Sequence, residues 1–154
     1  MKLYVIRHAK ATDFGEQAWD GERPLTEKGL KQSRRIGEFF AQSSDVPELV
    51  LTSPILRAQQ TADALCSAAG IDAPLTVDWL RCGMRPESAV KELVAYTGFE
   101  RVAIVGHNPD LYFLLHHLLD EMESPAHVKK ASVHVLGRFN PPQSRAVLEE
   151  VYHF

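Results

Sequence analysis

Three apolar runs in this chain end in polar residues that could share a chemical task. Leu3-Tyr4-Val5-Ile6 ends in Arg7-His8. Leu49-Val50-Leu51 ends in Thr52-Ser53, with Arg57 one helical turn later, and Val102-Ala103-Ile104-Val105 ends in Gly106-His107-Asn108. Two guanidiniums can grip a phosphoryl group through planar, bidentate hydrogen bonds. A neutral, correctly oriented imidazole can attack phosphorus. A second imidazole can donate to an equatorial oxygen, where charge persists through a loose transition state. The set makes chemical sense only if the fold gathers residues that stand far apart in the chain.

The surrounding pattern predicts such a fold. Leu3 to Ile6 reads as a buried strand. Thr26 caps a helix from about Glu27 to Gln42, whose apolar residues Leu30, Ile36, Phe39 and Phe40 fall mostly on one face. After the strand at Leu49–Leu51, Ser53-Pro54 reads as an N-cap followed by a proline at the first helical position, and Gly70 stops that helix after Ala69. Leu75-Thr76-Val77 is a third strand, Pro86 to Tyr96 a helix, and Val102–Val105 the clearest buried strand. Asn108-Pro109 opens a helix to about Leu119. Ser132–Phe139 and Ala146–Tyr152 form a hairpin around Asn140-Pro141-Pro142 at a sheet edge. Strand and helix alternate, so the expectation is one α/β domain over 1–154, with three layers and helices on both faces of a mostly parallel sheet. Ligands of open α/β sheets bind beyond the carboxyl ends of the strands. Arg7, His8, Arg57 and His107 would therefore meet at one edge, with Arg57 and His107 at helix N-termini that favour anions.

Composition narrows the function classes. The chain has 154 residues, 45% hydrophobic and 24% charged, with a formal net charge of -3. That balance argues against a broad nucleic-acid footprint, which needs clustered Lys and Arg. No apolar run approaches a membrane span, and the N-terminal run is too short for a signal peptide. Cys66 and Cys82 fit neither a disulfide framework nor a zinc site. A reducing cytoplasm is the simplest compartment.

Arg7-His8, Arg57 and Gly106-His107-Asn108-Pro109 together resemble the signature of the histidine phosphatase superfamily, also called phosphoglycerate mutase-like. Arg23-Pro24-Leu25-Thr26-Glu27-Lys28-Gly29 resembles that family's R-P-L-T-x-x-G segment. Ser53-Pro54 through Arg57-Ala58 to Thr61-Ala62 resembles its S-P-x-x-R-A-x-x-T-A segment. Order and spacing match from residue 3 to about 119. The short length and the R-P-L-T form are most similar to the SixA-like phosphohistidine phosphatases. The resemblance implies a phosphoglycerate mutase-like fold and a phosphohydrolase working through phosphohistidine on the enzyme. His8 would be the nucleophile, Arg7, Arg57 and His107 would complete the phosphate pocket, and Arg23 would reach its rim. It also implies that no cofactor or metal is needed. The expected partner is a phosphorylated protein, such as a histidine phosphotransfer domain, or a small phosphorylated metabolite. No nucleic acid or membrane is expected.

Two departures from the family pattern matter. The common R-H-G is Arg7-His8-Ala9, a small change taken as tolerated. Many relatives carry a glutamate acid in an R-E-x-x-x-G stretch after the third strand. Here the region reads Asp78-Trp79-Leu80-Arg81-Cys82-Gly83, and Asp78 and Glu87 only flank it. An alkoxide leaves poorly without an acid. A phosphohistidine can be protonated on its free ring nitrogen beforehand and leave as neutral imidazole. The gap therefore favours phosphohistidine over small phosphate esters. The other rival, a binding module that holds phosphorylated ligands without hydrolysing them, sits badly with an intact His8 and His107. Simpler readings cover the rest. A structural salt bridge competes with ligand contact for Arg23. His116 and His117 read as one core-facing and one solvent-facing residue, Trp19 and Trp79 as packing, and Arg34-Arg35 as a solvated face. The polar 11–22 loop could border the pocket.

Overall fold

The computed structural model describes residues 1–15 and 19–154. In chain order its elements are β1 (Lys2–Arg7), α1 (Glu27–Ala41), β2 (Leu49–Thr52), α2 (Leu56–Ala69) and β3 (Leu75–Thr76). Then come α3 (Pro86–Leu93), β4 (Arg101–Gly106), α4 (Asp110–Leu118), β5 (Ser132–Gly137) and β6 (Val147–His153). The strands form one sheet in the order β3-β2-β4-β1-β5-β6. β1 to β4 are mutually parallel, and β5 runs against both β1 and β6. This is the three-layer α/β arrangement expected, with the terminal hairpin at the sheet edge.

Alternation along the strands divides the core in two. Tyr4, Ile6, Val50, Ala103, Val105 and Val133 face α1 and α2, meeting Ile36, Phe40, Ala58, Ala62 and Leu65. Leu3, Val5, Leu51, Val102, Ile104 and Leu136 face α3 and α4, meeting Ala89, Val90, Leu93, Leu111, Leu114 and Leu118. Strands covered on both faces must be apolar almost throughout, hence the unbroken runs in β1, β2 and β4.

Several local expectations are revised. Thr26 does cap α1, its side chain accepting from the Gly29 N–H at 3.1 Å. α2 starts later than Ser53-Pro54 suggested, at Leu56, with Ile55 in the capping position. The Pro86 helix loses its α-helical form after Leu93 and ends in a 3-10 turn over Val94–Tyr96. His116 is exposed and lies 3.1 Å from the Pro125 carbonyl, while His117 is half-buried against the Ser144 hydroxyl, so neither joins the core. The fully buried histidine is His134, which burial pushes down to about 4. Both cysteines are free thiols, Cys66 buried and Cys82 exposed. No helix among the described residues is long and apolar enough to cross a membrane.

Candidate active site

The site begins where β1, β2 and β4 stop together. The ladder runs one residue past the strands, with His8 N–H donating to the Gly106 carbonyl and Ser53 N–H to the Val105 carbonyl, each at 3.1 Å. His8, Ser53 and His107 therefore emerge side by side. All three are buried. The His8 and His107 rings lie 5.3 Å apart, centre to centre.

The orientation of His8 follows from its partners. Nδ1 lies 2.8 Å from the Ala9 carbonyl, which can only accept, so Nδ1 carries the proton. Nε2 then keeps its lone pair and accepts from Arg57 Nε at 3.3 Å. Burial pushes the imidazole down to about 3, opposed by the Ala9 bond and reinforced by the charges of His107, Arg57 and Arg7. His8 is thus neutral at physiological pH, with its ring lone pair on Nε2.

The surroundings of His107 accommodate the complementary tautomer. Its Nε2 stands 2.8 Å from Ser53 Oγ, and that oxygen already accepts the Ile55 N–H at 3.2 Å. With its one proton directed to His107 Nε2, the hydroxyl donates there while accepting from Ile55, and the ring proton then sits on Nδ1. That Nδ1 is buried and has no protein partner. Burial pushes His107 down to about 4, with the Arg57 charge acting the same way.

The arginines frame the same space. Arg7 donates from Nη1 to the Val128 carbonyl at 2.8 Å, while its buried Nε has no partner. Arg57 is buried in the first turn of α2. Beyond His8 it donates to the Asp20 carbonyl at 3.0 Å and pairs with the Asp20 carboxylate at 3.0 Å. Arg23 reaches this cluster only through Asp20, at 2.7 Å, and also donates to the Thr12 carbonyl at 2.7 Å. Two buried nitrogens, Arg7 Nε and His107 Nδ1, thus have no hydrogen-bond partner among the described residues, in the same charged cluster as the neutral His8. Buried polar groups are nearly always paired, so these nitrogens are open to an acceptor from outside the chain. Among the described residues, no three His, Cys, Asp or Glu side chains are grouped to hold a metal ion.

The R-P-L-T-x-x-G segment clamps the loop behind the nucleophile. Thr26 N–H donates to the Lys10 carbonyl and Thr12 N–H to the Pro24 carbonyl, each at 2.9 Å. Gly29 packs so closely on Lys10 that a Cβ there would collide with its carbonyl oxygen. Ala9 is wholly buried and its N–H donates to Thr61 Oγ1 at 3.1 Å. Positive φ occurs instead at Ala131, whose N–H meets the carbonyls of Arg7 and His8 at 3.2 and 3.3 Å. The alanine in place of glycine at position 9 therefore meets no conformational demand.

Residues that sequence reasoning missed include Asp20, the hydroxyl of Ser53 as a partner of His107, and the Val128 carbonyl, which also accepts from Asn108 Nδ2 at 3.2 Å. Asp20 had one available signal, being an acidic residue in a loop read as bordering the pocket. Trp19, read as packing, is half-exposed beside Asp20. Part of that loop, residues 16–18, lies outside the described residues. Asp78 and Glu87 are both exposed, and Asp78 pairs with Arg81 at 3.2 Å.

Residues 3–80 match the family model of the histidine phosphatase superfamily, branch 1. The chain belongs to the histidine phosphatase superfamily. An uncharacterized protein of Picosynechococcus sp. is 34% identical over 117 residues, covering 72% of this chain and 68% of that one. The lipopolysaccharide core heptose(II)-phosphate phosphatase of Escherichia coli is 29% identical over 149 residues, covering 89% and 71%. Among solved structures, the protein histidine phosphatase SixA complexed with tungstate superposes with a TM-score of 0.88 at 22% identity, covering 99% and 97% of the two chains. A SixA protein from Agrobacterium tumefaciens superposes at 0.78 with 29% identity, covering 88% and 90%. The fold of this superfamily member is thus phosphoglycerate mutase-like, and the SixA-like resemblance read from its motifs holds.

Proposed function

We propose that this phosphatase dephosphorylates phosphohistidine on a signalling protein, with His8 carrying the phosphoryl group between substrate and water. One observation carries the mechanism. A buried neutral imidazole with an unprotonated Nε2, held only by Arg57 among the described residues, stands beside buried nitrogens that have no partner among those residues. The Nε2 lone pair forms a bond to phosphorus as the substrate's bond to phosphorus breaks. Arg57 swings its donors from Nε2 to the phosphoryl oxygens, while Arg7 Nε and His107 Nδ1 hold the others. The Ala9 carbonyl stabilises the charge the phosphorylated ring acquires. Water then attacks phosphorus, Nε2 leaves with its electron pair, and a water proton passes to the departing phosphate.

The substrate choice rests on the absence of a positioned acid among the described residues. The carboxyls of Asp78 and Glu87 are exposed, and Asp20 is held below the usual carboxylate range by the Arg23 guanidinium. None is suited to protonate an alkoxide, and a protonated phosphohistidine requires no such help. The likeness to the Escherichia coli heptose phosphatase supports the second reading, a phosphatase of small phosphate esters.

Rapid quenching of wild-type enzyme with substrate should trap an acid-labile, base-stable phosphate on His8 by mass spectrometry, and His8→Ala should abolish turnover while the protein stays folded. Phosphate found on another residue, or substantial activity in His8→Ala, refutes the mechanism. Competition between a phosphohistidine protein and a panel of sugar and nucleotide phosphates decides the substrate. Preference for a sugar phosphate would establish the second reading.

A further inference from the structure

Beside the phosphate site lies a cavity of about 330 Å³ lined by Trp19, Asp20, Gly21, Ile55, Arg57, Arg81 and Cys82. It shares Arg57 with the phosphate site, so a group attached to a bound phosphorus can extend into it. Its walls are fixed. The Trp19 indole lies folded across Gly21, where a Cβ would overlap the ring. Asp20 is anchored on Arg57 and Arg23. The Arg81–Gly83 segment is tied to α4 by the Gly83 N–H donating to Asp110 Oδ2 at 2.8 Å. The cavity thus offers the flat indole, the aliphatic Ile55 and one carboxylate that keeps lone pairs free, its side chain being 55% exposed.

We propose that this cavity receives the leaving imidazole of the phosphohistidine substrate, and that the Asp20 carboxylate accepts the N–H of that ring's far nitrogen. The proposal rests on the phosphohistidine reading and gives it a structural basis. A planar ring stacks on an indole face, and a protonated ring gains further from the aromatic surface and from the carboxylate. By holding the far nitrogen protonated, Asp20 prepares the ring to leave. The bond from phosphorus to the near nitrogen breaks, its electrons return to that nitrogen, and the ring departs as neutral imidazole with the far N–H still on Asp20. Asp20 donates no proton in this step, which agrees with its ion pairs to two guanidiniums. A sugar alkoxide would gain nothing from the arrangement.

Three substrates separate the contributions. Phosphoramidate has the phosphorus–nitrogen bond and no ring, an aryl phosphate has a ring and no basic nitrogen, and a phosphohistidine peptide has both. In Trp19→Ala, kcat/KM for the peptide should fall about tenfold relative to phosphoramidate, and Trp19→Phe should recover most of that ratio. In Asp20→Asn, kcat/KM for the peptide should fall roughly tenfold or more relative to the aryl phosphate, the scale of a lost charge-assisted bond. The alkaline limb of the peptide's kcat profile should also move to lower pH, because the bound ring loses its proton more easily without the carboxylate. Ratios cancel any general loss from a disturbed Arg57. Wild-type turnover of the peptide with both ratios and the alkaline limb unchanged overturns the cavity proposal alone. Wild-type turnover of the aryl phosphate and phosphoramidate through His8, with none of the peptide, overturns the phosphohistidine reading and the cavity proposal with it.

Discussion

Replacing Arg57 by lysine isolates what the guanidinium fork contributes beyond its charge. Arg57 makes directed contacts to His8 Nε2 at 3.3 Å, the Asp20 carbonyl at 3.0 Å and the Asp20 carboxylate at 3.0 Å. In the proposed mechanism two nitrogens of this planar group turn onto phosphoryl oxygens when substrate binds. A lysine ammonium is a single point on a flexible stem and reaches one oxygen at a time. Losing one charge-assisted bond in a buried site costs about 1.5–3 kcal/mol. At about 1.4 kcal/mol per decade this is roughly 10- to 150-fold, and loss of a preorganised transition-state donor reaches 10²–10³ in kcat. Arg57→Lys should therefore lower kcat by about 10²-fold, and Arg57→Ala by more. Steady-state kinetics with an aryl phosphate measures this, and the inhibition constant of vanadate should weaken in parallel. Thermal melts confirm that the variants fold. A kcat within threefold of wild type in folded Arg57→Lys, with vanadate binding intact, would refute the bidentate grip.

Other outcomes follow from the same geometry. Ser53→Ala removes the partner of His107 Nε2 and should cut kcat about tenfold by freeing the wrong tautomer, with less effect on KM; equal loss in both would indicate a purely structural hydroxyl. Gly29→Ala forces the Lys10 backbone away and should cost about 1–3 kcal/mol in denaturant unfolding, with lost activity because Lys10 follows the nucleophile loop; unchanged stability would mean the segment yields freely. His8 and His107, at about 3 and 4, are both depressed from an ordinary imidazole value. Their ring resonances should show no NMR titration between pH 8 and 5. The unfolded chain binds these protons first, so stability is fully present above about pH 6.5 and is lost as pH falls toward 4 and below; midpoints near 6.5 would contradict their burial. With no positioned acid among the described residues, rates on esters should fall steeply as leaving-group pKa rises, and Asp78→Asn and Glu87→Gln should leave phosphohistidine hydrolysis nearly unchanged. A flat dependence, or inhibition by EDTA, would count against this chemistry.

Sequence alone determined whatever rests on neighbours within a few positions. Unbroken apolar runs marked β1, β2 and β4 because strands covered on both faces admit little else. Thr26 marked the start of α1 and Gly70 the end of α2, since caps act within one turn. His8 and His107 at strand ends, and Arg57 in the first turn of a helix, were legible because residue type and local position together suit an anion. Ser53 shows where local reading stops. As a sequence it is an N-cap before proline, yet its hydroxyl serves His107 across 54 positions, and α2 begins three residues later. Asp20 looks like any loop acid until folding sets it between Arg57 and Arg23, and Trp19 looks like packing until Gly21 lets the indole lie across the backbone. The strand order that inserts β4 between β1 and β2 decides all of this. Hydrogen bonds and ion pairs form only at contact distance, and the approach of residues far apart in the chain is set by packing of the whole sheet.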